Sequence, residues 1–252
     1  MRIYFALLFR EVFRQRPLSR LVHQSPVKLL LFDIDGTLVN AFGAGHEAVE
    51  AALQDVTGHA IDAGGIAFSG KTDPQIVREL LATNGAAGGD PEALIARVLD
   101  RYADRLAATI SGKRVEALPG TQALLKRLAA REDVVLALLT GNIEPTAHLK
   151  LEAAGLDRFF AGGAFGSDDA DRDRLVPVAA RHAQQHTGRA FSGSEVVVIG
   201  DTPRDVACGK AHGARTVGVC TGRYDRADLS EADRVLDDLT GAERVANAVV
   251  GT

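Results

Sequence analysis

The chain has 252 residues, of which 46% are hydrophobic, 25% charged and 5% aromatic, a profile that excludes a disordered or fibrous protein and allows one large domain or a core plus a smaller module. Its 29 Lys and Arg against 33 Asp and Glu give a net charge of −4, so no global basic field points to nucleic acid as a partner. The two cysteines, Cys208 and Cys220, form no CxxC pair, which excludes a cysteine metal framework and suits a reduced, cytoplasmic setting.

Residues 1–26 carry Arg2, Arg10, Arg14, Arg16 and Arg20 against Glu11 alone, a local charge of +4 that leaves −8 for the rest. The apolar run from Ile3 to Phe9 is too short to span a bilayer, and no small-x-small cleavage pattern follows it. We read this segment as a poorly ordered N-terminal extension and expect no stable membrane insertion; a basic amphipathic helix touching anionic lipid is the alternative. From residue 27 onward short apolar runs alternate with helical patterns: Lys28–Phe32, Val134–Leu139, Val196–Ile199 and Thr216–Val219, with a weaker candidate at Phe159–Ala164. Near-continuous runs of this kind predict strands buried on both faces, and the alternation predicts an α/β fold, a doubly wound parallel sheet of Rossmann-like type.

About a hundred residues separate Phe32 from Val134, far more than a crossover needs. The pattern between them is helical over Gly45–Val56, Pro74–Thr83 and Pro91–Ile110, the last opened by Asp90 as cap and Pro91 in the first turn. Leu94, Val98, Leu99, Tyr102 and Leu106 give that helix one apolar face. We therefore expect residues 27–42 and 116–252 to form the core, and 43–115 a small inserted helical cap, with Leu118-Pro119-Gly120 as the return linker.

Three predicted strands end in chemistry. The first runs into Asp33-Ile34-Asp35-Gly36-Thr37, the second into Thr140-Gly141-Asn142, the third into Gly200-Asp201-Thr202-Pro203-Arg204-Asp205. In an open parallel sheet this edge is where ligands bind. Carboxylates gathered there repel and raise one another's pKa unless a cation sits among them. All-oxygen ligation suits Mg²⁺. Asp33 is then placed as a nucleophile and Asp35 as the acid that protonates a leaving oxygen and later activates water. Thr140, the N–H groups of Gly141 and Asn142, and one basic side chain would bind the transferred group, with Gly141 letting the backbone approach the ligand.

These motifs, in this order, resemble the haloacid dehalogenase superfamily of hydrolases, in its phosphoglycolate-phosphatase-like branch with a helical cap inserted after the first motif; the resemblance spans about residues 27–245. It implies an aspartyl-phosphate on Asp33, acid/base catalysis by Asp35, and Mg²⁺ held by the carboxylates of Asp33 and Asp201 and the main-chain carbonyl of Asp35. Asp205 would support the metal from behind or through water. The family usually places a Lys before the helix leading to the last motif; here the stretch reads Asp171-Arg172-Asp173-Arg174-Leu175-Val176-Pro177. We assign the phosphate-binding cation to Arg172, with Arg174 as runner-up, since Arg binds a phosphate oxygen and a carboxylate together. Lys71, in Phe68-Ser69-Gly70-Lys71-Thr72-Asp73-Pro74, resembles the substrate loop of capped members and would contact the leaving group.

The implied function is a Mg²⁺-dependent phosphatase acting on a small phosphorylated metabolite. Asp35 argues against dehalogenase and phosphonatase chemistry; a sugar-phosphate mutase shares both acids and stays open. A phospho-acceptor signalling domain or a non-catalytic binding domain is disfavoured by Asp35 and the long insertion. Thr72 and Asp73 fit a helix cap, and His46 and Glu47 the start of a cap helix. His182 and His186 are expected on a solvated helix face, Cys208 and Cys220 as small buried residues, and His212 at a helix end.

Overall fold

The computed structural model describes residues 27–85, 90–111 and 114–251. The N-terminal extension over residues 1–26 lies outside the described residues. Six strands form a single sheet: β1 (Lys28–Phe32), β4 (Val134–Leu139), β5 (Gly163–Ala164), β6 (Val196–Gly200), β7 (Arg215–Val219) and β8 (Arg234–Leu236), in the order β5-β4-β1-β6-β7-β8. Every pairing is parallel, and β1 lies between β4 and β6 in the registers Leu30↔Leu136 and Leu30↔Val197.

The alternation of side chains along β1 shows why its sequence has no polar face. Leu30 and Phe32 pack with Leu124, Leu125 and Leu128 of α4 (Thr121–Ala129) and with Val245 and Val249 of α8 (Ala242–Val250). Leu29 and Leu31 pack on the opposite side with Leu175, Val176 and Ala179 of α6 (Leu175–Thr187) and Cys208 of α7 (Pro203–Ala211). Apolar surface buried on both faces is the α/β, doubly wound arrangement that the uninterrupted apolar runs predict. Among the described residues no helix is long and apolar enough to cross a membrane.

Between β1 and β4 the chain forms α1 (Ala44–Thr57), α2 (Asp73–Thr83) and α3 (Pro91–Thr109), which share a separate apolar cluster including Leu53, Val77, Leu80, Val98, Tyr102 and Leu106. The Asp90 carboxylate accepts from the N–H groups of Glu92 at 3.0 Å and Ala93 at 3.4 Å, and Pro91 occupies the first turn, a strong helix start. The insert leaves and rejoins the sheet through paired two-residue strands, β2 (Val39–Asn40) and β3 (Glu116–Ala117), antiparallel with Val39 opposite Ala117.

Three features differ from the sequence expectation. The candidate strand Phe159–Ala164 is a 3₁₀ turn at Asp157–Phe159 followed by the two-residue β5, because Gly162-Gly163 offers little strand propensity. The edge strand β8 is three residues long between Asp233 and Asp237, and such charged, short edges carry no alternation to read. The β2–β3 ribbon is likewise too short to leave a periodic signal.

Leu106 is fully buried at the centre of the insert's cluster. Leu106→Ala is expected to lower stability by about 2–4 kcal/mol, measured as a reduced urea midpoint with the sheet's far-ultraviolet signal retained at low denaturant.

Candidate active site at the carboxyl edge of the sheet

The central position of β1 brings three strand ends together. Past Phe32, the Asp33 N–H still donates to the Ile199 carbonyl of β6 at 2.9 Å, so the side chain is fixed at the last rung of the ladder. The chain then turns sharply, with the N–H groups of Leu38 and Val39 both donating to the Ile34 carbonyl at 2.9 and 3.0 Å. Gly36 takes φ +82°, and a Cβ there would stand 2.5 Å from the Asp201 carboxylate; only glycine allows the turn to close over that residue. Asp201, one residue past β6, accepts from the Thr37 hydroxyl at 3.0 Å.

Arg172 binds this group from the other side. It opens the 3₁₀ turn Arg172–Arg174, capped by the Asp171 side chain, and is 5% exposed. Its Nη2 donates to Asp205 Oδ1 and lies 3.2 Å from Asp33 Oδ1. Asp205 Oδ2 accepts from both the N–H and the hydroxyl of Thr202, at 3.0 and 2.7 Å, closing a capping box on α7. Both Asp205 oxygens are therefore bonded to protein donors. Arg174 is instead 72% exposed and pairs with Asp169 and Asp171. Arg172 Nε is buried without a hydrogen-bond partner in the structure.

The third strand end is built on amide and hydroxyl groups. Thr140 Oγ1 accepts from the N–H of Asn142 at 3.3 Å and from its Nδ2 at 2.8 Å. With both lone pairs used, its own proton is left to donate. Asn142 Nδ2 also donates to Asp35 Oδ2 at 2.8 Å. Gly141 lines the cavity, and a Cβ there would also sit 2.0 Å from the Lys71 carbonyl. It therefore also permits a close approach of the insert's backbone. The same contact is bonded, with the Asp73 N–H donating to the Gly141 carbonyl at 2.7 Å and the Asp73 carboxylate accepting from the Ile143 N–H at 2.8 Å.

The insert thus bounds one side of a cavity of about 480 Å³ that reaches Asp33, Asp35, Thr140, Arg172 and Asp201. Lys71 lines it, with its ammonium bonded to Glu79 of α2. Thr72 is the N-cap of α2, accepting from the Gln75 N–H at 3.3 Å. His46 and Glu47 lie in the first turn of α1; His46 also lines the cavity and stacks on Phe68 with ring centroids 4.3 Å apart. His182 corrects the expectation of a solvated face: it is half-buried and Nδ1 is 2.8 Å from the Gly163 carbonyl. His212 is the C-cap of α7. Cys208 is buried, and that burial pushes its thiol up to about 12, while Cys220 is half-buried rather than buried.

Two site residues escaped the sequence reading. Lys150 on α5 (Glu144–Ala153) is 4% exposed, its Nζ 2.6 Å from Asp35 Oδ2 and 2.6 Å from Asn142 Oδ1. Tyr102 was assigned only to an apolar face, yet its hydroxyl comes within 3.2 Å of where a Cβ on Gly45 would stand, beside Lys150. The signal for Lys150 was the spacing Ile143, Thr146, Lys150, which places a lysine on the inward face of the helix that starts at a site-forming strand end.

Burial dominates the electrostatics. It raises Asp33 to about 7, with Asp205 and Asp35 adding to the rise and Arg172 opposing it. It raises Asp201 to about 8, reinforced by Asp33 and Asp205. Asp33, Asp201 and Asp205 offer oxygens within 4.8 Å of one another. Hard oxygen donors, raised by desolvation and mutual repulsion and with Asp205 already bonded to Arg172, fit a divalent cation held chiefly by Asp33 and Asp201.

A model of the haloacid dehalogenase-like hydrolases matches residues 27–213. The chain belongs to this hydrolase family. A phosphoglycolate phosphatase from Pseudomonas syringae pv. tomato is 30% identical over 84% of this hydrolase and 77% of its own length, and one from Neisseria gonorrhoeae is 26% identical over 88% and 90%. The solved structure of CbbY from Rhodobacter sphaeroides in complex with phosphate superposes with a TM-score of 0.65 at 20% identity, covering 85% of this chain and 96% of that one.

The raised carboxylates carry a stability signature. A native Asp with a raised pKa binds more protons than its unfolded counterpart, so stability falls as pH rises from about 4 through the native value. In metal-free protein Asp201→Asn is expected to melt several degrees above wild type at pH 8, with the difference much smaller at pH 5. Thermal melts at the two pH values in chelator measure this, and a pH-independent difference would contradict it.

Proposed function

We propose that the protein is a Mg²⁺-dependent phosphatase that hydrolyses a small phosphorylated metabolite in the cytoplasm through an aspartyl-phosphate on Asp33. One observation carries the reading: two carboxyl groups, Asp33 and Asp35, stand two residues apart in the lining of one cavity, the first beside the buried Arg172 and the second bonded by Asn142 and Lys150. A single carboxylate would suffice for a phospho-acceptor; the second supplies the proton transfers that turnover needs.

Asp33 attacks phosphorus while the bond to the leaving oxygen breaks, and Asp35 gives that oxygen a proton. Asp35 then takes a proton from the water that attacks the aspartyl-phosphate, which frees inorganic phosphate and restores Asp33. Arg172 and the Thr140 hydroxyl stabilise charge on the transferred phosphoryl group, aided by the backbone N–H of Gly141, while the Asn142 N–H is spent on Thr140 Oγ1 at 3.3 Å. Mg²⁺ would be held by the Asp33 and Asp201 carboxylates and the Asp35 carbonyl, where it offsets the charge of an incoming phosphate. Asp205 acts by anchoring Arg172.

Residues 43–115 serve as a cap over the leaving group, a role supported by the bonds of Asp73 to Gly141 and Ile143 and of the Thr72 hydroxyl to the Ala170 carbonyl at 2.7 Å. Excluding water there strengthens every electrostatic contact inside. Lys71 faces the cavity with its charge shared with Glu79 and is the cap residue assigned to the leaving group. The relatives named phosphoglycolate phosphatase place phosphoglycolate first among substrates to try.

Purified protein is expected to release inorganic phosphate from an aryl phosphate only when Mg²⁺ is present, and Asp33→Asn to reduce turnover by more than about 10³-fold. Equal rates for wild type and Asp33→Asn would sink the reading. Independently of turnover, Mg²⁺ is expected to raise the melting temperature by about 5–10 °C at pH 8 when present at roughly a hundredfold its dissociation constant. The rise should shrink at pH 5, where protons compete for the same carboxylates.

A further inference from the structure

Lys150 poses a physical question that the phosphatase chemistry leaves open. A buried ammonium is costly unless paired, and its neighbours on α5, Ala147 and Leu151, show that apolar residues fill this face elsewhere. The charge is instead retained and directed: Nζ donates to Asp35 Oδ2 and Asn142 Oδ1, both at 2.6 Å. Burial opposes the cation, yet Asp35, Tyr102 and Asp73 outweigh it and hold Lys150 above its ordinary value.

The bonds also define which way the Asn142 amide faces. Because Lys150 can only donate, it must meet the amide oxygen, which turns Nδ2 towards Asp35 Oδ2 and Thr140 Oγ1 at 2.8 Å each. Asp35 Oδ2 therefore receives two donors, while Oδ1 receives no hydrogen bond from the described residues. Asp35 is also the more open of the two acids, with its side chain 43% exposed at the cavity.

We propose that Lys150 is a positioning residue for acid/base catalysis: by fixing Oδ2 together with Asn142, it leaves Oδ1 of Asp35 as the atom that carries the proton. This rests on the phosphatase reading above. In the first half-reaction the Oδ1–H proton passes to the bridging oxygen as its bond to phosphorus breaks and the Asp33–phosphorus bond forms, so the alcohol leaves neutral and Asp35 remains as carboxylate. In the second, the attacking water returns a proton to Oδ1 as the Asp33–phosphorus bond breaks. Lys150 keeps all its protons throughout.

The test compares two esters in the full-length protein with Mg²⁺: an alkyl monoester such as glycerol phosphate, whose alkoxide needs a proton, and 4-nitrophenyl phosphate, whose phenolate does not. Since the second half-reaction is common to both esters, the first is read alone, as the single-turnover rate of alcohol or phenol release: Lys150→Met is expected to lower it for the alkyl ester by about 10²-fold or more, while changing it for the aryl ester by less than about fivefold and leaving KM alone. The ratio between esters does not depend on the fraction of enzyme folded, so partial unfolding cannot mimic it. Lys150→Arg, which keeps the charge, should hold the ratio within about threefold of wild type. Adding Lys150→Met to Asp35→Asn should cost little further on the alkyl ester, since both act through one group. Equal losses on the two esters, a change in KM alone, or a full additional loss in the double variant would overturn the proposal. A wild type that hydrolyses neither ester would remove the phosphatase reading itself, and the role of Lys150 with it.

Discussion

Four carboxyl groups share one edge of the sheet, and their mutual repulsion is the constraint that the surrounding structure answers. Asp33, Asp201 and Asp205 are each less than a tenth exposed, where a lone anion would be prohibitively costly. The Arg172 side chain touches two of them. Its guanidinium stays protonated in any surroundings a protein offers and presents several donors in fixed directions. That accounts for how an arginine can stand where the family usually has a lysine. The residue must satisfy a carboxylate on each side, and removing one partner from such a buried set typically costs about 3–5 kcal/mol. Asp205 completes the arrangement by tying the same charge network to the first turn of α7 through Thr202.

A second ionic set lies on the side of the insert. Lys150 compensates Asp35 of the core and lies close enough to Asp73 and Tyr102 of the insert to be influenced by both. Asp73 is itself raised to about 6 by burial, with Lys150 opposing the rise. Its carboxylate accepts from the Ile143 N–H at the start of α5. Seating the insert therefore brings charge as well as apolar surface to the catalytic edge. The site is complete only when both modules contribute.

Much of this was legible in the sequence because its signals are local. Strand ends followed by Asp-x-Asp, Thr-Gly-Asn and Gly-Asp-Thr-Pro are contiguous, and the topology of a parallel sheet places such ends side by side. The sequence separates Arg172 from Arg174 only by place ahead of a helix, whereas the structure buries the former beside Asp33 and leaves the latter in solvent. Lys150 was hidden because its partners are 8 and 115 residues away, and no short pattern joins Asp35 to a helix so far downstream. A second role of Gly141 was hidden for a related reason. Its close neighbour is the Lys71 carbonyl, a contact that exists only once the insert has folded back. The short strands β2 and β8 escaped because two or three residues cannot display a period.

The β2–β3 ribbon has a consequence beyond joining two modules. Because Val39 faces Ala117 and Asn40 faces Glu116, the insert's two ends are held side by side. Chain closure, an entropic cost that grows only slowly with loop length, falls on the ribbon and not on the sheet. An intervening segment of different length or sequence could be spliced between the same two strands without moving Asp33 or Asp201. The carboxyl edge can thus stay constant while a contiguous stretch of the chain above it diverges.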